Sequence, residues 1–147
     1  MPNWVSNTLV VIKGDPKELF EFIRTDKSVF DFNKLIPVPD SIENSKEEVF
    51  GPMGDTVPAW YEWAIDNWGT KWNASDAEYS TKDPEHVICF KTAWDPPVPV
   101  FEALAKGFPE HEVVVYSDEY GCHLHVTFTL KEGRVTWAHD QCGCFTF

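Results

Sequence analysis

Positive charge is the first scarcity in this chain. Its 147 residues carry 12 Lys and Arg against 24 Asp and Glu, a formal net charge of −12 with His neutral. Non-specific wrapping of DNA or RNA is excluded on that balance, because the phosphate term that supplies such binding is repulsive for an acidic surface. Long apolar runs are missing as well: no stretch approaches the ~18 consecutive apolar residues that a membrane helix needs. Met1-Pro2-Asn3-Trp4 shows no basic segment followed by an apolar one, so no export signal is read there. A cytoplasmic setting is therefore expected, with Cys89, Cys122, Cys142 and Cys144 as free thiols. Catalytic signatures are absent too, with no Gly-rich phosphate loop, no Gly-x-Ser-x-Gly elbow and no His-Glu-x-x-His. A Cys89 and His86 pair sits three residues apart and falls on opposite faces of one strand. The expectation is a protein that is not an enzyme.

Rings are what the chain has in abundance. Seven Trp, 4 Tyr and 11 Phe bring aromatics to 15%, while 43% hydrophobic and 24% charged residues are ordinary for a globular protein. One domain over residues 1–147 is expected at this length. The β-branched run from Trp4 to Ile12 reads as a strand, and Asp15-Pro16-Lys17-Glu18 as a capped helix start running to Arg24. Residues 27–58, with Pro37, Pro39, Pro52 and Pro58, read as an irregular insertion, its first part pinned to the core by Phe30, Phe32, Leu35 and Ile36. A second helix spans Ala59 to Trp68, closed by Gly69, and its rings imply burial on most sides. Trp72 to Tyr79 reads as a weak strand and Val87 to Trp94 as a stronger one. A helix from Val98 to Lys106 follows, then strands Val113 to Ser117, Cys122 to Leu130 and Arg134 to Ala138, the last two forming a hairpin, and a tail over 139–147. This order predicts an α+β, ferredoxin-like βαββαβ kernel with a long insertion carrying an extra helix and a C-terminal β-hairpin.

Four stretches carry a family resemblance: Pro2-Asn3-Trp4, Phe32-Asn33-Lys34-Leu35-Ile36-Pro37, the Trp-rich run from Trp60 to Ala74, and Thr92-Ala93-Trp94-Asp95-Pro96-Pro97. Together they resemble the YubB ferredoxin-like family of uncharacterised phage and plasmid proteins. The likeness runs from residue 2 to about residue 110 and weakens after Gly121. It implies the same fold and a phage- or plasmid-borne origin, with the host cell cytoplasm as the place of action. It implies no reaction.

The Trp-rich corner is the main candidate site. Tyr61, Trp63, Asn67, Thr70, Lys71, Trp72, Asn73, Thr92 and Trp94 interleave rings with polar groups, joined by Asp95, as a small-molecule pocket requires. Rings and one Lys suit a nucleotide-like ligand, the rings stacking a base and Lys71 meeting a phosphate. The competing expectation is a Trp-heavy core with no ligand. Extended geometry after Gly69 would send Lys71 and Asn73 to one side and Trp72 to the other. On this reading the protein is an accessory, counter-defence factor that acts by binding. The alternative reading is an acidic protein that masks a basic, nucleic-acid-binding host protein, long-range attraction speeding the encounter. A second alternative is a zinc-dependent enzyme or zinc-stabilised domain. His123-x-His125 and Cys142-x-Cys144 each place two ligand-type side chains on one face of an extended segment. No other cofactor is expected, and no direct DNA, RNA or membrane binding.

Overall fold

The computed structural model describes residues 3–50, 54–80, 86–119, 121 and 124–139. In chain order the elements are β1 (Trp4–Lys13), α1 (Pro16–Ile23), a 3-10 turn (Phe32–Lys34), α2 (Asp40–Glu43), β2 (Glu48–Phe50), β3 (Thr56–Pro58) and α3 (Ala59–Trp68). Then come β4 (Ser75–Ser80), β5 (Val87–Ala93), α4 (Val98–Gly107), β6 (Glu112–Glu119), β7 (Leu124–Lys131) and β8 (Arg134–His139).

Six strands form one sheet in the order β4-β5-β1-β6-β7-β8, every neighbouring pair antiparallel. The kernel β1-α1-β4-β5-α4-β6 supplies the first four, with β1 and β5 central. That is the ferredoxin-like arrangement, extended at one edge by the β7–β8 hairpin. Period-two alternation fixes which face is covered. Val5, Asn7 and Leu9 of β1, Val113, Val115 and Ser117 of β6, and Leu124, Val126, Phe128 and Leu130 of β7 are all buried. The apolar ones meet Leu19 and Ile23 of α1 and Val100, Phe101 and Leu104 of α4 in a continuous core. α1 starts as its sequence dictates: the Asp15 carboxylate accepts from Lys17 N at 3.0 Å, and Pro16 occupies the first helical position.

The insertion differs from its reading as irregular chain. It holds the short α2 and a two-stranded sheet, β2 paired with β3. Its first part is pinned as expected: Phe30 and Phe32 are fully buried and pack edge-on against each other and against Phe90. The extra helix α3 has the expected bounds but is not buried on most sides. It packs on α2, α4 and the β2–β3 hairpin, while α1 and α4 already cover the kernel sheet. Only Ala64 and Trp68 are therefore buried along it, and Trp60 and Ile65 stay exposed. The strand expected from Trp72 begins at Ser75, because residues 71–73 bend sharply before the chain can join β5.

Candidate functional site

Two chain ends meet beside the kernel. α3 stops at Gly69, whose φ of 78° is the left-handed cap, its N–H donating to the Ile65 carbonyl at 3.1 Å. A Cβ there would stand 2.7 Å from Pro99 Cδ, so no other residue lets α3 end so close to α4. The end of β5 approaches the same point, and Thr70 Oγ1, 2% exposed, donates to the Ala93 carbonyl at 2.8 Å. A cavity of about 500 Å³ opens between them, walled by Tyr61, Ile65, Thr70, Lys71, Trp94 and Asp95. That volume is within the range of small-ligand sites.

Trp94 is the unusual member. Its φ is 70°, a region that bulky residues rarely enter, and Asp95 N donates to Ala93 O at 2.9 Å across it. A two-residue-span hydrogen bond around a positive φ is a γ-turn of the rare, strained kind. Trp94 N is held in turn by the Asn3 carbonyl at 2.8 Å. The indole gains little from burial, being 49% exposed. Strain of this sort costs on the order of 1–3 kcal/mol and collects at functional sites.

Beneath the turn runs a chain of buried polar groups. Ser117 Oγ donates to Asn7 Oδ1 at 2.6 Å, Asn7 Nδ2 to Thr92 Oγ1 at 3.1 Å, and Thr92 Oγ1 to the Asp95 carbonyl at 2.8 Å. Asn7, Thr92 and Ser117 are each 1% exposed or less. The chain therefore ties three adjacent strands to the residue after Trp94. The Asp95 side chain opens to solvent at the cavity rim, yet its surroundings desolvate the carboxyl enough to push its pKa above the ordinary carboxylate value.

Lys71 is the cation of the cavity wall. Its Nζ lies 4.2 Å from the centre of the Trp72 ring and 5.9 Å from that of Tyr61. The expected alternation across residues 71–73 is therefore wrong. The backbone bends there, and Lys71 and Trp72 share a side instead of opposing each other. Trp72 packs against Trp4 with the rings tilted by 33° and their centroids 5.7 Å apart.

Of the nine residues read from sequence, Tyr61, Thr70, Lys71 and Trp94 line one cavity, and Thr92 supports it from below. Trp63, Asn67, Trp72 and Asn73 lie outside that wall. Trp63 packs edge-on to Trp68, whose Nε1 donates to the Ile36 carbonyl at 2.9 Å. Asn67 Nδ2 caps the Trp63 carbonyl within α3 at 2.9 Å. Asn73 ties the insertion to the kernel, accepting from Phe32 N at 2.9 Å and donating to Asp31 Oδ1 at 2.8 Å. Trp63, Asn67 and Asn73 thus make structural contacts, while Trp72 stays exposed against Trp4 and Lys71. Ile65, Gly69 and Ala93 complete the lining and carry no chemical signal in the sequence.

Of the zinc candidates, His123, Cys142 and Cys144 lie outside the described residues. His125 Nδ1 meets Asp118 Oδ1 at 2.7 Å on the sheet face away from the helices. Among the described residues no group of three or more His, Cys, Asp or Glu is placed to hold a metal. His86 precedes β5 at a φ of 60° and its ring engages the Tyr79 hydroxyl, so it is not on the strand with Cys89.

Residues 67–144, just over half of the chain, match the model of the ferredoxin-like domain in Api92-like proteins. The chain belongs to that family. The match takes in β4 to β8 and the Trp94 side of the cavity, and it continues past Gly121, where the likeness read from sequence weakens. A solved relative, the protein Api92 from Yersinia pseudotuberculosis, is 16% identical and superposes with a TM-score of 0.57 over 78% of this chain and 41% of its own. That likeness shows the shared fold. The chain spans about two-fifths of that relative's length. Comparison with the curated proteins yields no match. Among the described residues no helix is long and apolar enough to cross a membrane.

Proposed function

We propose that the protein works by binding, capturing a small nucleotide-like ligand at the Trp94 corner, as an accessory counter-defence factor encoded on a phage or plasmid in the manner of the YubB family. The observation that carries this reading is the γ-turn at Trp94, which holds an exposed indole at a backbone cost beside the cavity's one lysine, Lys71. An aromatic base stacks on Trp94, an anionic group meets Lys71, and the Asp95 carboxyl at the rim receives an amino donor.

Melting shifts with a panel of nucleotides test the reading. A ligand at 100 times its Kd adds ~2.7 kcal/mol of stability. Lys71→Ala should leave the ligand-free melting temperature unchanged and abolish the shift. Trp94→Gly, which relieves the positive φ, should change stability by less than about 1 kcal/mol and also abolish the shift. A Lys71→Ala variant that keeps the full shift sinks the proposal.

A second reading rests on a different surface. Asp40 and Glu43 of α2, Glu47 just before β2, Glu48 of β2, and Glu62 and Asp66 of α3 are all exposed on elements that pack together, with Lys46 among them and Phe50 at 82% exposure. This acidic surface suits masking of a basic host protein. A flat nucleotide panel combined with salt-sensitive capture of one host protein favours it.

A further inference from the structure

A second cleft, of about 410 Å³, lies between α1 and the β4–β5 edge of the sheet. It is distinct from the Trp94 corner, since Ile88 in its floor and Ala93 stand roughly 16 Å apart along β5. The floor is apolar. Phe20 and Ile88 are buried, Val29 is partly so, and the Tyr79 ring stands edge-on to Phe20 with centroids 5.3 Å apart. The Tyr79 hydroxyl is engaged by His86 Nδ1, so the wall it offers is ring.

Charge then sets the ends. Lys17, Phe20, Glu21 and Arg24 fall on one stripe of α1 and its C-cap at i, i+3, i+4 and i+7. That spacing puts one cation at each end of the apolar floor, about 10.5 Å apart along the axis. Arg24 Nη1 forms an exposed ion pair with Glu21 Oε1 at 3.7 Å, too long for a hydrogen bond, so Glu21 offsets part of its charge and the cleft's lining of two cations and one carboxylate stays net positive. Lys17 makes no ion pair among the described residues and sits in the first turn of the helix, where the backbone dipole adds to its field. In a chain of net charge −12, two of 12 basic side chains border one apolar cleft.

We infer that this cleft is a second binding site, for a small amphipathic anion: an aryl- or alkyl-bearing carboxylate, sulfonate or phosphate monoester. Its apolar body lies on Phe20, Val29 and Ile88, and its anionic head meets Lys17 or Arg24. The residues are not those of the Trp94 corner, so variants at Lys17 and Arg24 on one side and Lys71 on the other let the two assignments stand or fall separately.

The probe is 8-anilinonaphthalene-1-sulfonate, followed by fluorescence titration of the full chain. The wild type should bind one molecule saturably with blue-shifted emission. Lys17→Glu/Arg24→Glu changes two exposed side chains, so the melting temperature should hold while affinity falls about tenfold or more. N-phenyl-1-naphthylamine, which lacks the sulfonate, should bind about tenfold more weakly than the sulfonate. Lys71→Ala should leave the titration unchanged. The inference is overturned by an absence of saturable binding, by affinity that survives the double reversal, by equal affinity for the uncharged amine, or by loss in Lys71→Ala.

Discussion

Replacing Asn7 by Leu asks whether the buried polar chain beneath Trp94 acts as a unit. Asn7 accepts from Ser117 Oγ at 2.6 Å and donates to Thr92 Oγ1 at 3.1 Å, with longer contacts to the Val5 and Phe90 carbonyls at 3.3 and 3.5 Å. After Asn7→Leu the Thr92 hydroxyl still donates to the Asp95 carbonyl, so its proton is not stranded. The Ser117 hydroxyl is stranded, at 0% exposure. A buried donor left without a partner costs about 1–3 kcal/mol, and each lost hydrogen bond about 0.5–1.5 kcal/mol net. The added apolar contact of Leu returns part of this, giving an expected loss of about 2–3 kcal/mol.

Ser117→Ala alone strands Asn7 Oδ1 instead and should cost about 1–2 kcal/mol. In Asn7→Leu/Ser117→Ala both polar partners are gone, so the cost should fall short of the sum by about 1–2 kcal/mol. Urea unfolding followed by tryptophan fluorescence measures all four proteins, with an unchanged m-value certifying the comparison. The binding panel should report the same coupling, because the Asp95 carbonyl next to Trp94 is the far end of the chain. Additivity to within ~0.5 kcal/mol, or an Asn7→Leu variant as stable as the wild type, refutes the reasoning.

Three further outcomes are expected. Gly14→Ala should lower stability by about 2–3 kcal/mol in the same urea assay, since φ is 97° and the new Cβ falls 2.6 Å from His111 Cδ2. The ring cannot swing aside, because His111 is 7% exposed and its Nε2 is held by the Asp15 carbonyl at 2.9 Å. Trp72→Ala should cost only about 1–2 kcal/mol rather than the ~3–5 of a core tryptophan, because the ring is 36% exposed and its main partner is Trp4; calorimetry distinguishes the two. Asp95 has a pKa raised by burial, so the folded state holds its proton more tightly than the unfolded chain. Its contribution to stability is then present below the ordinary value of 3.8 and is lost as pH rises through the raised value. Asp95→Asn should remove that slope, and stability measured in parallel across that window for the two proteins checks the sign.

Elements with strong local signals were legible in the sequence. α1 was marked by its Asp-Pro start, α3 by the ring pattern and Gly69, and β7 by clean alternation from Leu124 to Leu130. β2 and β3 escaped because three residues each are too few to show a period, and their pairing depends on packing against α3. β4 starts later than its sequence suggests because Trp72 and Asn73 follow a helix cap, and nothing local shows that the chain must bend before it can pair with β5. At the site, the rings were visible but their assignment to core or cavity was not. Trp63 and Trp94 are the same residue type, and tertiary packing decides that one meets Trp68 and the other solvent. One signal was readable and passed over: Asn7 stands between Val5 and Leu9 on the inward register of a central strand, where a polar side chain demands a reason.

That reason lies in how Trp94 is held. Hydrophobic side chains at 7, 92 and 117 would pack the same three strands without any desolvation cost, and buried polar groups add to stability only when every partner is met. Here they are met in series, and the series ends on the Asp95 carbonyl. The Ala93 carbonyl on the other side of the turn is gripped by the buried hydroxyl of Thr70, and Trp94 N by Asn3. At about 1 kcal/mol net for each hydrogen bond, the three that end on the turn itself roughly offset a γ-turn that costs on the order of 1–3 kcal/mol. The strain therefore brings no stability of its own, and half of the indole it positions stays in solvent. A glycine at 94 would relieve the backbone without disturbing any of these bonds. The ring's place is thus not accounted for by what it contributes to the core, and presentation at the cavity mouth is the role that the proposed function gives it.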